Sequence, residues 1–454
     1  MIRRLWHAWR GAVIPARCLV LALLSGLAWG GLVLEPVLRW APPTWVRLQA
    51  DLRELSVLPM LGVVVAAVLC GQNASRRSAA AGPWVPRSGW QLTLRVVGRL
   101  SIAVWMGAFG PLAAVLVLTS SRATAGSADV LALLGPILAV PTWAVLGYAL
   151  GSLVPRGWNL LVAVLAWAAT YAGPELFNEL TPYPAFAVFP VWGLDWPLVG
   201  DVADVRVSAF RLLLFPVLTI GAAFCLAAWS RRATGAPGRT AARMALAFAP
   251  PLALVVLGTL WTPELVRPEA PPPMACDGSE SACLHEAHAN LLDDVSEIVG
   301  RQMALTGGRM AVMDSALLPE WRPDLFLLNV DSAARRYPEA RFWDVVATET
   351  ALVFSGLRSC RAMPNRFDVG EDQELFDLLL GQEAAAEALA IALVERSGRE
   401  FVPQTFTEQG PIAPGRHAEL FGFLDGLSDE QFRAWVDGER ERIDSCELNP
   451  AVVG

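Results

Sequence analysis

Four residues with ligand chemistry crowd one short stretch: Cys276, Cys283, His285 and His288. Two thiols and two imidazoles could hold zinc. Cys-x6-Cys-x-His-x2-His matches no common structural site, however, and zinc-bound thiolates compete with disulfide formation outside the cell. His285-Glu-Ala-His288 also misses the metallopeptidase pattern, which sets its histidines four apart on one helical face. The expectation is a disulfide-stapled loop with surface histidines and no metal. The carboxylate pairs Asp293-Asp294 and Glu371-Asp372 sit in an acid-rich region, as on any solvated helix face. His417 stands isolated, no Gly-x-Ser-x-Gly elbow occurs, and spacing defines no Cys/His dyad. No catalytic residue and no cofactor is expected. All 36 basic residues are arginine. Without lysine there is no Schiff-base nucleophile and no Walker-type phosphate-binding lysine, so the chain is not itself a P-loop ATPase.

The elements that carry these residues fall into two halves of opposite character. The chain is 54% apolar with a net charge of −7, and its mean hydropathy of +0.43 is high for a soluble protein. Residues 1–262 hold 20 arginines and 9 acids, whereas residues 263–454 hold 16 arginines and 34 acids. An acidic tail repels phosphates, which excludes nucleic acid as a partner. Apolar stretches at about 18–36, 56–71, 99–119, 129–153, 158–173, 211–230 and 244–262 predict seven membrane spans, the second and fifth short for the roughly 20 residues a crossing needs. None has a carboxylate or arginine in its interior, which argues against a proton- or sodium-coupled carrier.

Charge sets the orientation. Glu35, Asp51, Glu54, Asp129, Glu175, Glu179, Asp195, Asp201 and Asp204 all fall on alternate connections, and the other connections carry only arginine. Arginine-rich loops stay cytoplasmic, so the N-terminus is expected inside and residues 263–454 outside. Residues 2–14 read as an amphipathic helix in the headgroup plane, within an interfacial segment 1–17. Gly26 and Gly30 form one GxxxG pair and Gly147 and Gly151 another, each a helix-packing signal. Gly110-Pro111 and Gly135-Pro136 should kink their spans. The outer segment 174–210 is rich in aromatic residues and reads as short helices dipping into the interface.

A Pro-rich spacer, 263–274, leads to a tail, 275–454, read as mainly helical: about 284–304, 340–357, 372–397, 416–424 and 429–443, with possible strands at 309–313 and 325–330. Ser428-Asp-Glu-Gln431 is a capping-box pattern. Cys18, Cys70 and Cys225 lie in or beside the spans, while Cys276, Cys283, Cys360 and Cys446 lie in the tail, where an even number reads as two disulfides. Three pairings are possible, and the short separation favours Cys276–Cys283 with Cys360–Cys446. The fold class is thus an all-α polytopic membrane protein followed by a mainly α-helical soluble domain.

The layout resembles type 2 ABC exporter permeases. The basic loop Ala74-Ser-Arg76-Arg77 … Pro86-Arg87-Ser-Gly-Trp90 is similar to the arginine-rich loop of actinobacterial members. The Cys276-Asp-Gly … Ala-Cys283-Leu-His285 opening and the Leu427-Ser-Asp-Glu-Gln-Phe-Arg-Ala-Trp435 segment resemble the extracytoplasmic domain that some members carry. The resemblance implies a separately encoded ATPase, a homo- or heterodimer of membrane subunits in the lipid bilayer, and the 72–98 loop, with Arg76, Arg77, Arg87 and Trp90, as the ATPase contact. A seventh span departs from the six-span core of that class. The rival reading from the same layout is a membrane-anchored sensor whose tail binds a ligand outside, and a tethered hydrolase is a third.

Overall fold

The computed structural model describes residues 14–80, 89–155, 157–180, 188, 201–230, 237–261, 266–268, 274–278, 282–307, 311–314, 325–328, 330, 334, 336–357, 373–402 and 418–448. All of the amphipathic segment 2–14 except Ile14, most of the aromatic segment and Arg87 lie outside them. The chain divides into two compact units, one formed by residues 1–38, 42–197 and 201–269, the other by residues 39–41, 198–200 and 270–454.

The first unit is helical, with a single two-stranded ladder among the described residues. Its elements are α1 (Ala16–Val37), α2 (Trp45–Glu54), α3 (Val57–Ala80), α4 (Gly89–Arg122), α5 (Val130–Leu153), α6 (Asn159–Leu180), β1 (Asp201–Ala203), α7 (Val205–Ser230), α8 (Pro237–Leu260) and β2 (Val266–Pro268). Five stretches, Ala16–Val37, Trp45–Asn73, Trp90–Arg122, Val130–Leu153 and Val205–Ala228, are long and apolar enough to cross a membrane. Asn159–Gly173 and Met244–Leu260 are apolar but shorter. The polar segment 45–54, a connection by its sequence, is helical and precedes α3.

Small residues set how these helices meet. α1 packs most extensively on α4, and α3 on α5. A Cβ added at Gly26 would collide with the Val104 carbonyl, and one at Gly107 with the Leu23 carbonyl, so α1 and α4 touch backbone to backbone from both sides. Gly147 and Gly151 meet Val64 and Val68 of α3 in the same way. Both GxxxG pairs are contact surfaces, as their spacing suggests. α4 and α5 run on through Pro111 and Pro136. The helix ends are tied as well: Arg122 Nη1 donates to the Val37 carbonyl at 2.8 Å, and the Trp45 N–H to the Ala125 carbonyl at 3.4 Å. β1 pairs antiparallel with β2, which brings the chain before α7 beside the chain after α8.

The second unit combines helices with a small mixed sheet. Its elements are β3 (Met274–Cys276), β4 (Ala282–His285), a 3-10 turn (Glu286–Leu291), α9 (Leu292–Thr306), β5 (Ala311–Asp314), β6 (Leu325–Leu328), α10 (Glu339–Phe354), α11 (Gln373–Arg396), α12 (Ala418–Asp425), α13 (Asp429–Gly438) and α14 (Arg440–Asp444). The strand order is β3-β4-β5-β6; β3–β4 is antiparallel, and the two following pairs are parallel. Val295 and Val299 of α9, Phe342 and Val346 of α10, and Leu389 and Leu393 of α11 form the middle of the core. The alanines of α11 (Ala384, Ala385, Ala388) are fully buried, and their small size lets it pack closely inside that core. Trp40, from the stretch 39–41, belongs to this unit: its indole donates to the Tyr337 carbonyl at 3.1 Å and tilts against Phe342.

Candidate functional site

Of the residues expected to face an ATPase, Arg76 and Arg77 fall near the end of α3, which continues past its apolar part to Ala80, and Arg87 lies outside the described residues. Trp90, in the first turn of α4, stacks on Phe224 of α7 with ring centroids 5.4 Å apart. That ring is engaged in helix packing. Cys276 and Cys283 are opposite one another in the β3–β4 register and form a disulfide. Cys446 is also disulfide-bonded, and Cys360 lies outside the described residues. Cys18, Cys70 and Cys225 are free thiols.

The histidines depart from expectation. His285 and His288 are not on the surface but buried, where β4 passes into the 3-10 turn before α9. His285 Nδ1 accepts the Ala287 N–H at 3.1 Å and so caps that turn, while the two rings meet edge-on 6.4 Å apart. Among the described residues no group of three or more His, Cys, Asp or Glu is placed to hold a metal ion. His417 falls outside them.

A different cluster of charged side chains lies within the first unit. α2 is short, and both of its faces are covered. Leu48 and Leu52 face the apolar interior, and the Trp29 indole donates to the Leu52 carbonyl at 3.0 Å, anchoring the helix to α1. One turn apart, Arg47 and Asp51 form a buried ion pair at 3.4 Å with side chains 3% and 4% exposed. The next arginine, Arg53, reaches a small cavity that it shares with Arg211 and Ser208 of α7 and with Gly135 and Pro136 of α5. Phe215 also lines it; its carbonyl accepts from Thr142 of α5 at 3.2 Å, which ties α5 to α7, and from Thr219 one turn on at 2.9 Å.

Arg211 is 4% exposed. From sequence it marked the start of the sixth span, outside the interior. α7 begins six residues earlier, at Val205, so Arg211 sits well inside the helix. It lies within Val205–Ala228, a stretch long and apolar enough to cross a membrane. Hydropathy places a span's edge at the first charge, whereas a helix starts where its backbone is capped. Asp204 makes that start, accepting the Arg206 N–H at 2.7 Å.

The first unit also has an apolar groove of about 270 Å³ against another face of α5, with Trp29, Leu52, Trp105, Phe109, Leu116 and Ile137 among its walls. Phe109 and Leu116 are exposed at its mouth. The groove suits hydrocarbon, but it offers no polar group to orient a ligand. No family model, no curated protein and no solved structure matches the chain.

Proposed function

We propose that the protein is the membrane-spanning subunit of an exporter powered by a separately encoded ABC ATPase. The observation that carries the reading is a polytopic helical unit with no lysine anywhere to bind a nucleotide phosphate, combined with a basic segment at the ends of α3 and α4. Seven apolar helices cross in alternation, with the N-terminus in the cytoplasm and the tail outside. Three ties support that path: Arg122 with Val37, Trp45 with Ala125, and β1 with β2 each join segments that the charge map puts on one side. Arg76, Arg77 and Arg87 present the cytoplasmic charge, and an ATPase with a complementary acidic face docks there, the charges mainly setting orientation and on-rate.

The test is affinity purification of the full chain from its native membrane, with mass spectrometry of what accompanies it. Wild type should bring down an ABC ATPase. The triple variant Arg76→Glu, Arg77→Glu, Arg87→Glu should insert normally and lose it. Recovery of no ATPase with wild type, or of equal amounts with the variant, refutes the docking reading. Orientation is checked separately with a membrane-impermeant maleimide on intact cells: it should label Ala434→Cys, on the exposed side of α13, and not Ser78→Cys.

A further inference from the structure

We propose that the apolar groove walled by α1, α2, α4 and α5 is a fixed seat for one acyl chain of a membrane lipid, whatever powers the protein. Three observations lead there. First, the groove is continuous with an exposed apolar surface. Ile102, Met106, Phe109, Leu116 and Val117 are exposed along α4, in a stretch long and apolar enough to cross a membrane. Phe109 and Leu116 of that stripe also line the groove, so its mouth opens where hydrocarbon covers the helix.

Second, both indoles in the wall have their polar ends engaged. Trp29 Nε1 donates to the Leu52 carbonyl at 3.0 Å, and Trp105 Nε1 to the Ile137 carbonyl at 3.3 Å. The remaining lining side chains are aliphatic or Phe109. A headgroup, a sugar or a charged peptide would give up its hydration here with no partner to replace it. A hydrocarbon chain has no polar group to satisfy. The Trp29 bond also fastens α2, whose Leu48 and Leu52 form part of the wall, so the recess is built by four helices tied to one another.

Third, depth and size decide which part of a lipid enters. Leu133 and Ile137 follow Asp129, the cap of α5, by about 6 and about 12 Å along the helix at 1.5 Å per residue. Both depths fall within the roughly 15 Å of hydrocarbon that one leaflet supplies. A volume of about 270 Å³ takes a length of one chain and leaves the headgroup and the second chain outside.

The experiment uses the full chain in micelles of a steroid-based detergent that has no alkyl chain. The probe is a phosphatidylcholine with a photoreactive diazirine midway along one acyl chain, and adducts are mapped by peptide mass spectrometry. Wild type should take label on residues 105–116 and 133–137 to saturation, and excess unlabelled phosphatidylcholine should lower that label at least tenfold. Glycerophosphocholine, the same headgroup without chains, should not. Label around Leu246 and Leu257, exposed on α8, should rise without saturating. Ala113→Phe fills the groove from α4 and should cut the groove label at least fivefold while sparing the α8 label. Ile102→Phe, on the same helix outside the groove, should change neither. Should Ala113→Phe fail to fold, Leu133→Trp fills the groove from α5. Groove label that never saturates in wild type, that yields to glycerophosphocholine, or that persists in full in a folded groove-filling variant overturns the proposal.

Discussion

The two units solve the packing problem in opposite ways. In the first, apolar side chains point outward: Val20, Leu24, Met106, Phe109, Leu161, Leu246 and Leu257 are all exposed, while glycines mark where helices touch. In the second, Met274 and Leu378 are the exposed large hydrophobics among the described residues, and the core is made of Val, Leu, Ile, Phe and Ala. Water drives the second arrangement, because every apolar side chain moved inside is removed from it. Hydrocarbon supplies no such drive, so helices that cross it associate through close backbone approach and scarce polar contacts. The outward apolar faces and inward glycines of the first unit suit a lipid surrounding.

The sharpest way to break this contrast is at a glycine. A side chain at Gly26 has nowhere to go, since its Cβ would lie on the Val104 carbonyl rather than on a movable side chain. Gly26→Leu should therefore separate α1 from α4 and abolish recovery of a monodisperse protein in detergent. Gly31→Leu, where an added Cβ meets nothing within 4 Å, should be recovered as wild type. Equal recovery of the two would mean that glycine contacts do not hold this unit together.

Much of this was legible beforehand, and what was not had a common cause. Gly26, Gly30, Gly147 and Gly151 announced their contacts because helix spacing alone puts i and i+4 on one face. The parallel strands β5 and β6 coincide with apolar runs read from sequence, and the capping box at Ser428 is present. The pattern over 284–304 predicts one helix, but its first residues are a strand. Ala282–His285 is extended because it pairs with β3 on one side and β5 on the other, partners distant in sequence or fixed by a disulfide. α2 escaped notice because its polar residues resemble a loop until the bundle buries them. Arg53 and Arg211 are plain in the sequence, but their meeting at one cavity depends on the packing of α2, α5 and α7, which local patterns do not encode.

In the second unit, polar side chains fix the geometry of helices that hydrophobic burial has already gathered. Arg396, at the end of α11, donates to the Leu424 and Leu427 carbonyls at 2.7 and 2.8 Å, pairs with Asp429, and lies 4.5 Å above the Phe432 ring. One side chain thus serves the end of α12 and the start of α13. Its loss removes the Leu427 carbonyl's side-chain donor and leaves the Leu424 carbonyl with the Leu427 N–H alone, while the exposed Asp429 carboxylate turns to water, so Arg396→Ala should cost about 1–3 kcal/mol. Arg396→Lys keeps the charge but lacks the planar fork, and should recover less than half of that. Hydrogen exchange of the full chain reads the effect, with faster exchange across 418–438 and none in α1 or α4. A variant that loosened both units equally would deny that they are energetically separate.

The smallest expected effect tests the same separation at one helix end. Ser428 accepts the Gln431 N–H through Oγ at 3.3 Å, and Gln431 Oε1 accepts the Ser428 N–H at 2.9 Å, so two backbone donors that α13 would otherwise leave open are satisfied reciprocally. Ser428→Ala removes the side-chain half of that exchange, at a cost of about 1 kcal/mol. In local opening this corresponds to a loss of protection of about fivefold for amides in the first turns of α13. Ser428→Asp keeps the acceptor and adds a negative charge at the positive end of the helix, so protection should return to wild type or above. The Arg396–Asp429 pair lies beside this cap, and the two should not be independent: the double variant Ser428→Ala, Arg396→Ala should fall short of the sum of the single losses. Strict additivity would show that the cap and the clasp hold α13 by separate routes, and that the order of this corner comes from the buried Phe432 and Val436 rather than from its polar network.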